Sequence, residues 1–168
     1  MKGILVLVLI LWPAPLLAQG LIVRPWADYA SYATAPDNLV GALSAALQGD
    51  HKACDLARLG LSAGVETGGT LWWKSQSHAD RPCTGSPGCN TDSGEPSGHT
   101  ALGFIGMRTA WGPQLSGWQR ISIAIGTAVL TGILRHTANQ HFWSQIGWGA
   151  LLGGGSEAAG LILRCEGS

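Results

Sequence analysis

Apolar residues recur at spacings of three and four along much of this chain, which is the periodicity of helices that bury one face. The pattern predicts helices over 38–49, over 50–74, over 118–135 and over 144–163. A further helix is expected after the turn at 96–99, ending near residue 111. Because no alternating strand pattern stands out, the sequence predicts an all-α fold, a compact helical bundle.

The segments between these runs have a different composition. Residues 20–37 mix apolar and aromatic side chains with Pro25 and Pro36, and we interpret them as an irregular lead-in. Residues 75–95 are rich in Ser, Gly, Pro and Asp, which predicts a polar loop. The charge-free apolar run over 121–134 has the length of a buried helix rather than of a membrane span. The sequence thus favours a soluble exported domain, with a bundle partly embedded in a membrane as the alternative.

The N-terminus has the features of a signal peptide over residues 1–18. Lys2 is the positive residue, an apolar core follows, and cleavage after Ala18 fits the small-residue preference. Residues 3–23 are also long enough to span a bilayer, so an uncleaved anchor is the alternative. In either case residues 19–168 form the predicted domain. We expect it in the periplasm, or at the inner membrane with its active site on the periplasmic side.

The net charge and the cysteines indicate which partners and which covalent links to expect. The chain has 168 residues, enough for one domain, and its formal net charge is zero, so nothing indicates a nucleic-acid partner. In an exported chain, an even number of cysteines favours disulfides. Cys83 and Cys89 flank a short flexible segment that can close a ring, and Cys54 would then pair with Cys165. A metal site is the alternative, but the spacing fits no familiar zinc pattern.

The most informative stretch is Pro96-Ser97-Gly98-His99. Pro96 cannot continue a helix, and Ser97 is a good N-cap for the apolar residues that follow. The free N–H groups of such a helix start favour an anion, and phosphate above all. Gly98 allows close approach of a ligand, and His99 can titrate near neutrality. A plain helix cap is the alternative for the tetrapeptide alone.

Basic residues lie at regular distances on both sides of this stretch. Lys74 precedes Arg81-Pro82 by seven residues, and Arg135 precedes His141 by six. The three pieces together resemble the signature of the type 2 phosphatidic acid phosphatase and vanadium haloperoxidase superfamily, which reads K-x6-R-P, P-S-G-H and S-R-x5-H-x3-D. Nine of its eleven fixed positions are matched, in the right order. The resemblance implies a helical bundle of that type.

The resemblance also implies roles for individual residues. His141 corresponds to the nucleophile that forms a phosphohistidine, and His99 to the acid that protonates the leaving group. The phosphate would be held by cations and hydrogen-bond donors: Lys74, Arg81, Ser97, Gly98 and Arg135. No metal or other cofactor is implied, and vanadate is expected to act as an inhibitor or phosphate mimic. His51, His78 and His136 match no motif position, so we expect them at the surface.

Two positions depart from the family pattern. Leu134 replaces a serine, and Gln145 replaces the aspartate that orients the nucleophilic histidine. A glutamine oxygen can still accept the Nδ1–H bond of His141, but it supplies no charge to stabilise the cationic ring. The leading hypothesis is therefore a metal-independent phosphohydrolase, with Gln145 as a weakened orienting group. A catalytically impaired phosphate-binding protein is the alternative, and a vanadate-dependent haloperoxidase is the third.

The nature of the substrate is indicated only by class. We expect a phosphorylated small molecule, or a lipid phosphate or pyrophosphate, on the exported side. Several tryptophans could line an apolar mouth for a lipid tail or bring the domain to a membrane surface, although core or rim positions are commoner for such residues. They are Trp72, Trp73, Trp111, Trp118, Trp143 and Trp148.

Overall fold

The computed structural model describes residues 23–85, 89, 92–107 and 115–163. These residues form α1 (Val23–Thr34), α2 (Asp37–Gln48), α3 (Lys52–Gln76), α4 (Gly98–Leu102), α5 (Gly117–Thr137) and α6 (Trp143–Gly160). No strand occurs in these ranges, so the all-α prediction is confirmed. The predicted signal peptide over 1–18 lies outside the described residues.

The interpretation of residues 20–37 as an irregular lead-in is wrong, because α1 occupies most of them. Pro25 is compatible with this helix since it falls in the first turn, where the backbone N–H groups have no helical partner. Pro36 marks the break before α2. Ala27 and Ser31 on α1 are buried, and α1 makes its main contact with α5. The two prolines thus lie at the ends of α1 and do not interrupt it, and packing against α5 buries one face of the helix.

The helix expected to end near residue 111 is also shorter than predicted. α4 ends at Leu102, and turns follow through Met107. Gly106 has a φ of 80°, and a Cβ there would lie 2.5 Å from the Cβ of Ala42. The chain therefore bends at a glycine that α2 approaches closely. Residues 108–111 lie outside the described part of the chain.

Small residues allow the helices to approach one another closely. α3 makes its most extensive contact with α6, and α4 packs against both α5 and α6. A Cβ at Gly149 would lie 2.4 Å from the carbonyl oxygen of Ser97, and one at Gly153 would lie 2.3 Å from that of Ala101. α4 therefore lies almost directly on the backbone of α6, and this contact fixes the start of α4.

The disulfide predicted between Cys83 and Cys89 is present. Cys54 is disulfide-bonded as well, and its expected partner Cys165 lies outside the described residues. In the part of the chain that the structure describes, no helix combines the length and the apolar character needed to cross a bilayer.

Candidate active site

A cavity of about 250 Å³ opens at one end of the bundle. Lys74 comes from the last turn of α3, Arg135 from the last turn of α5, and His99 from α4. The cavity is lined by Lys74, Arg81, Asp92, Gly98, His99, Leu102, Arg135 and His141. The structure thus brings most of the sequence-predicted site residues around one space. Ser97 and Gln145 lie behind its wall.

The imidazole ring of His141 is buried, and its surroundings define its tautomer. Nδ1 lies 2.8 Å from the carbonyl oxygen of Gly94 and 3.3 Å from Oε1 of Gln145, so it carries the hydrogen and donates it. Nε2 lies 3.2 Å from Nη1 of Arg81, which can only donate. Burial, and next the charges of Arg81 and Arg135, lower the pKa of His141 to about 3. The ring is therefore neutral near pH 7, with its lone pair on Nε2.

Gln145 connects the segments behind this ring. Its Oε1 accepts a second hydrogen bond from the backbone N–H of Phe142 at 3.1 Å. Its Nε2 donates to the carbonyl oxygen of Asp80 at 2.6 Å, and its own carbonyl oxygen accepts from the N–H of Ser97 at 3.0 Å. Gln145 is in contact with His141, as its spacing implies, but it also ties together three parts of the chain.

Ser97 has a different position from the one expected of a phosphate ligand. Its N–H is bonded to Gln145, and its Oγ accepts a hydrogen bond from Oγ1 of Thr100 at 3.0 Å. The side chain is fully buried. Ser97 therefore fixes the start of α4. Its neighbour Gly98 lines the cavity, whereas Ser97 does not.

Lys74 and Arg81 both bind the carboxylate of Asp92. Nζ of Lys74 lies 2.6 Å from Oδ2, and Nη2 of Arg81 lies 2.7 Å from Oδ1. Lys74 also donates to the carbonyl oxygen of Ser93 at 2.8 Å. These contacts place a carboxylate between two of the cations that the sequence assigns to phosphate binding. They also lower the pKa of Asp92 against the opposing effect of its partial burial.

Arg135 is 1% exposed and is partnered from α1. Its Nη1 donates to Oδ1 of Asp28 and lies 3.3 Å from Oγ of Ser31, and its guanidinium carbon lies 5.7 Å from the ring centre of Tyr32. Its Nε is buried without a hydrogen-bond partner among the described residues. The guanidinium of Arg135 lines the cavity, and the Nε–H is a donor that no described residue satisfies.

His99 lies between α1 and the three cations. Its ring meets the ring of Tyr32 edge-on, with 4.4 Å between ring centres. Burial lowers its pKa to about 4, and the charges of Arg135, Arg81 and Lys74 act in the same direction. His99 is therefore neutral near pH 7 when the cavity is empty. An anion in the cavity would raise its pKa.

One of three comparisons with known proteins identifies a family for this chain. The model of the PAP2 superfamily matches residues 56–164. The chain belongs to the PAP2 superfamily. No curated protein and no solved structure matches it. Membership supports a phosphatase-like function in general, and the matched segment contains every predicted site residue from Lys74 to Gln145.

Several residues at this PAP2 site were missed by sequence analysis. Asp28, Ser31 and Tyr32 belong to α1, which lies outside the matched segment. Their spacing of three and four puts them on one helical face, and this pattern could have been noticed if the helix had been predicted. Asp92 and the carbonyl group of Gly94 lie in a loop, and no sequence pattern distinguishes them.

The prediction that His136 lies at the surface is wrong. The residue is half-buried, its Nδ1 donates to the carbonyl oxygen of His141 at 3.1 Å, and its ring packs on Trp143 with 4.3 Å between centres. It therefore holds the backbone of the nucleophile candidate. His51 and His78 are exposed, as expected.

An apolar mouth was one of the possible roles of the tryptophans, and those that the structure describes do not surround the cavity. Trp72, Trp118, Trp143 and Trp148 are exposed on the helices, and Trp73 packs against Trp148. None of these side chains lines the cavity. Trp111 lies outside the described residues.

Proposed function

We propose that this chain is a phosphohydrolase that transfers a phosphoryl group to Nε2 of His141 and then to water, without a metal ion. The substrate class is an exported phosphate monoester or a lipid phosphate or pyrophosphate. The observation that carries the proposal is the neutral ring of His141, which lines a cavity together with Lys74, Arg81 and Arg135 and whose Nε2 lies 3.2 Å from Nη1 of Arg81.

The cations supply what phosphoryl transfer requires. The transferring group spreads negative charge over its outer oxygens, and catalysis consists mainly of holding those oxygens and the attacking atom in place. The guanidinium groups of Arg81 and Arg135 are suited to oxygen pairs, whereas Lys74 acts as a point charge. All three cations line the cavity, which supports this role.

His99 is the proposed acid and base. The negative charge of a bound phosphate ester raises its pKa, so that it takes up a proton that the empty site does not hold. When Nε2 of His141 bonds to phosphorus, the bond to the leaving oxygen breaks and that oxygen takes the proton of His99. His99 then accepts a proton from the water that attacks phosphorus, and the P–N bond breaks. Phosphate leaves, and His141 is neutral again.

A second candidate is a protein that binds phosphate with little or no turnover. Nδ1 of His141 faces two neutral oxygens, those of Gly94 and Gln145, where the family pattern has a carboxylate. A phosphohistidine carries positive charge on its ring, and neutral oxygens stabilise that charge less than a carboxylate does. This difference would slow formation of the intermediate.

Phosphate release and phosphoenzyme trapping test the two candidates. We expect release from p-nitrophenyl phosphate, phosphatidic acid or a prenyl pyrophosphate in the presence of EDTA, inhibition by vanadate, and a phosphohistidine in quenched samples. His141→Ala should abolish both turnover and the phosphoenzyme, because it removes the attacking nitrogen. His78→Ala is the control, since that histidine is exposed and outside the cavity.

The outcomes separate the candidates. Full loss of activity on chelation, or wild-type turnover in His141→Ala, contradicts the proposed mechanism. Binding of phosphate and vanadate with no release and no phosphoenzyme favours the second candidate. The relative rates on the soluble ester and on the two lipids identify the substrate class.

A further inference from the structure

The carboxylate of Asp92 occupies the cavity in the way a ligand anion would. Its two oxygens bind different cations, with Oδ2 at 2.6 Å from Lys74 and Oδ1 at 2.7 Å from Arg81. The Asp92 side chain is 48% exposed, whereas that of Arg81 is 3% exposed. Lys74 is 17% exposed, so both cations are more buried than the anion, and the carboxylate is the member of the group that can turn toward solvent.

The hydrogen-bond donors of Arg81 are all directed at the protein. Nε donates to the carbonyl oxygen of Asp92, and Nη2 donates to its carboxylate and, at 3.5 Å, to the carbonyl oxygen of Ser93. Nη1 donates to the carbonyl oxygen of Gln140 and to Nε2 of His141. In this state Arg81 has no donor to spare for a phosphate oxygen, and it covers the lone pair of the nucleophile candidate.

We propose that Asp92 is a built-in competitor for the phosphate group, which must displace its carboxylate from Lys74 and Arg81 to bind productively. The inference rests on the proposed function. It states that competition with Asp92 lowers the affinity of the same site for phosphate. The observed arrangement is then the resting state, in which the protein satisfies its own cations. Substrate binding exchanges one anion for another.

The exchange is physically reasonable for three connected reasons. A phosphate ester carries up to two negative charges and a further oxygen, so it interacts more strongly with the cations than a single carboxylate does. The Asp92 side chain reaches solvent, so its released charge is hydrated again at little cost. Its carbonyl oxygen accepts from Nε of Arg81 at 3.2 Å, so the backbone can stay in place when the side chain leaves.

Asp28 provides a contrast within the same structure. It pairs with Arg135, but it does not line the cavity, and Ser31 shares that guanidinium nitrogen. Arg135 is buried and needs a partner anion in every state of the site. Asp28 therefore serves as a permanent partner, whereas Asp92 is placed where the ligand goes.

Equilibrium binding of inorganic phosphate and of vanadate to the full chain tests the inference. The proteins compared are wild type, Asp92→Asn and the control Asp50→Asn, which removes an exposed charge before the opposite end of α3 from Lys74. We expect Asp92→Asn to bind both anions about tenfold more tightly at low ionic strength, because the competing charge is gone. The gain should shrink at high salt, and Asp50→Asn should match wild type.

The outcomes distinguish this inference from the proposed function. Equal affinity in Asp92→Asn and wild type overturns the inference, and so does weaker binding, which would mean that Asp92 organises the two cations for the ligand. If either result comes with normal phosphate release, the proposed function stands without the inference. If neither wild type nor Asp92→Asn binds phosphate or vanadate, the proposed function fails and the inference fails with it.

Discussion

His141 is held at Nδ1 by neutral oxygens and faced at Nε2 by a guanidinium group. The carbonyl oxygen of Gly94 is the nearer acceptor, at 2.8 Å, and Oε1 of Gln145 is farther away, at 3.3 Å. A Cβ on Gly94 would lie 2.6 Å from Nε2 of Gln145, so only glycine fits this position without displacing its neighbour. Orientation of the ring therefore depends on the backbone at Gly94 as much as on the side chain of Gln145.

Substitutions of Gln145 separate its two roles. In Gln145→Ala the Gly94 carbonyl still orients His141, so we expect kcat to fall less than about tenfold. The lost bonds to Phe142 and Asp80 should lower the free energy of unfolding by about 1–3 kcal/mol. Urea unfolding and kcat are measured on the same preparations. A loss of several orders of magnitude in kcat at unchanged stability would instead make Gln145 the main orienting group.

Gln145→Glu tests the contact with His141 through the pH dependence of activity, which a purely structural role of Gln145 would leave unchanged. It keeps an acceptor oxygen near Nδ1 and places a negative charge there, which favours the protonated ring and raises the pKa of His141 from about 3. The acid limb of the kcat/KM profile should therefore move to higher pH. The variant also loses the donor to Asp80 and should be less stable than wild type. If the acid limb stays at the pH found for wild type, the introduced carboxylate does not change the pKa of His141.

At the scale of elements, the glycines of α6 determine where α4 lies, and α4 carries His99. The sequence predicted that the α6 segment is a helix rich in small residues, but it did not indicate which helix packs against those residues. The same limit explains the early end of α4, which depends on contacts with helices distant in sequence. α1 was missed for another reason: its residues have helical spacing, but Pro25 and Pro36 indicated irregular structure.

Two alanine substitutions on α6 test this contact. A Cβ at Gly149 would lie 2.4 Å from the carbonyl oxygen of Ser97, whereas nothing lies within 4 Å of one at Gly147. Gly149→Ala should lower the free energy of unfolding by about 1–3 kcal/mol through overpacking, and it should reduce kcat/KM by displacing His99. Gly147→Ala should raise stability by about 0.5–1 kcal/mol through helix propensity alone. Equal stability and activity in the two variants would refute a tight α4–α6 contact.

At the scale of the whole molecule, the ionisable groups of the site are collected from four helices and two loops around one cavity. The spacing of the motif residues predicted most of these groups, because the residues at those positions meet around the cavity in the fold. Asp28 and Asp92, which partner the cations, were not predicted, since ion pairing across the fold leaves no fixed spacing. The result is a site with three cations, two partner carboxylates and two histidines whose pKa values are lowered.

These lowered pKa values make stability depend on pH. The pKa is about 3 for folded His141 and about 4 for folded His99, and the reference value is 6.5 for both. As pH falls below 6.5, the unfolded chain takes up protons that the folded one does not, so the free energy of unfolding decreases. The slope is at most about 1.4 kcal/mol per pH unit for each histidine, and less for His99 because it is half-buried. The raised pKa of Glu66 acts in the opposite sense above its reference value of 4.5.

Comparing wild type with His141→Gln isolates the larger contribution, because Glu66 and His99 are present in both proteins. Urea unfolding at intervals between pH 7.5 and pH 4.5 should give a shallower loss of stability in the variant, which cannot take up the proton on unfolding. The difference between the two curves should stay constant above about pH 6.5 and shrink as the pH falls below it. Parallel curves over the whole range would mean that His141 carries its proton equally in the folded and unfolded states. The lowered pKa that keeps Nε2 unprotonated below pH 6.5 would then be absent.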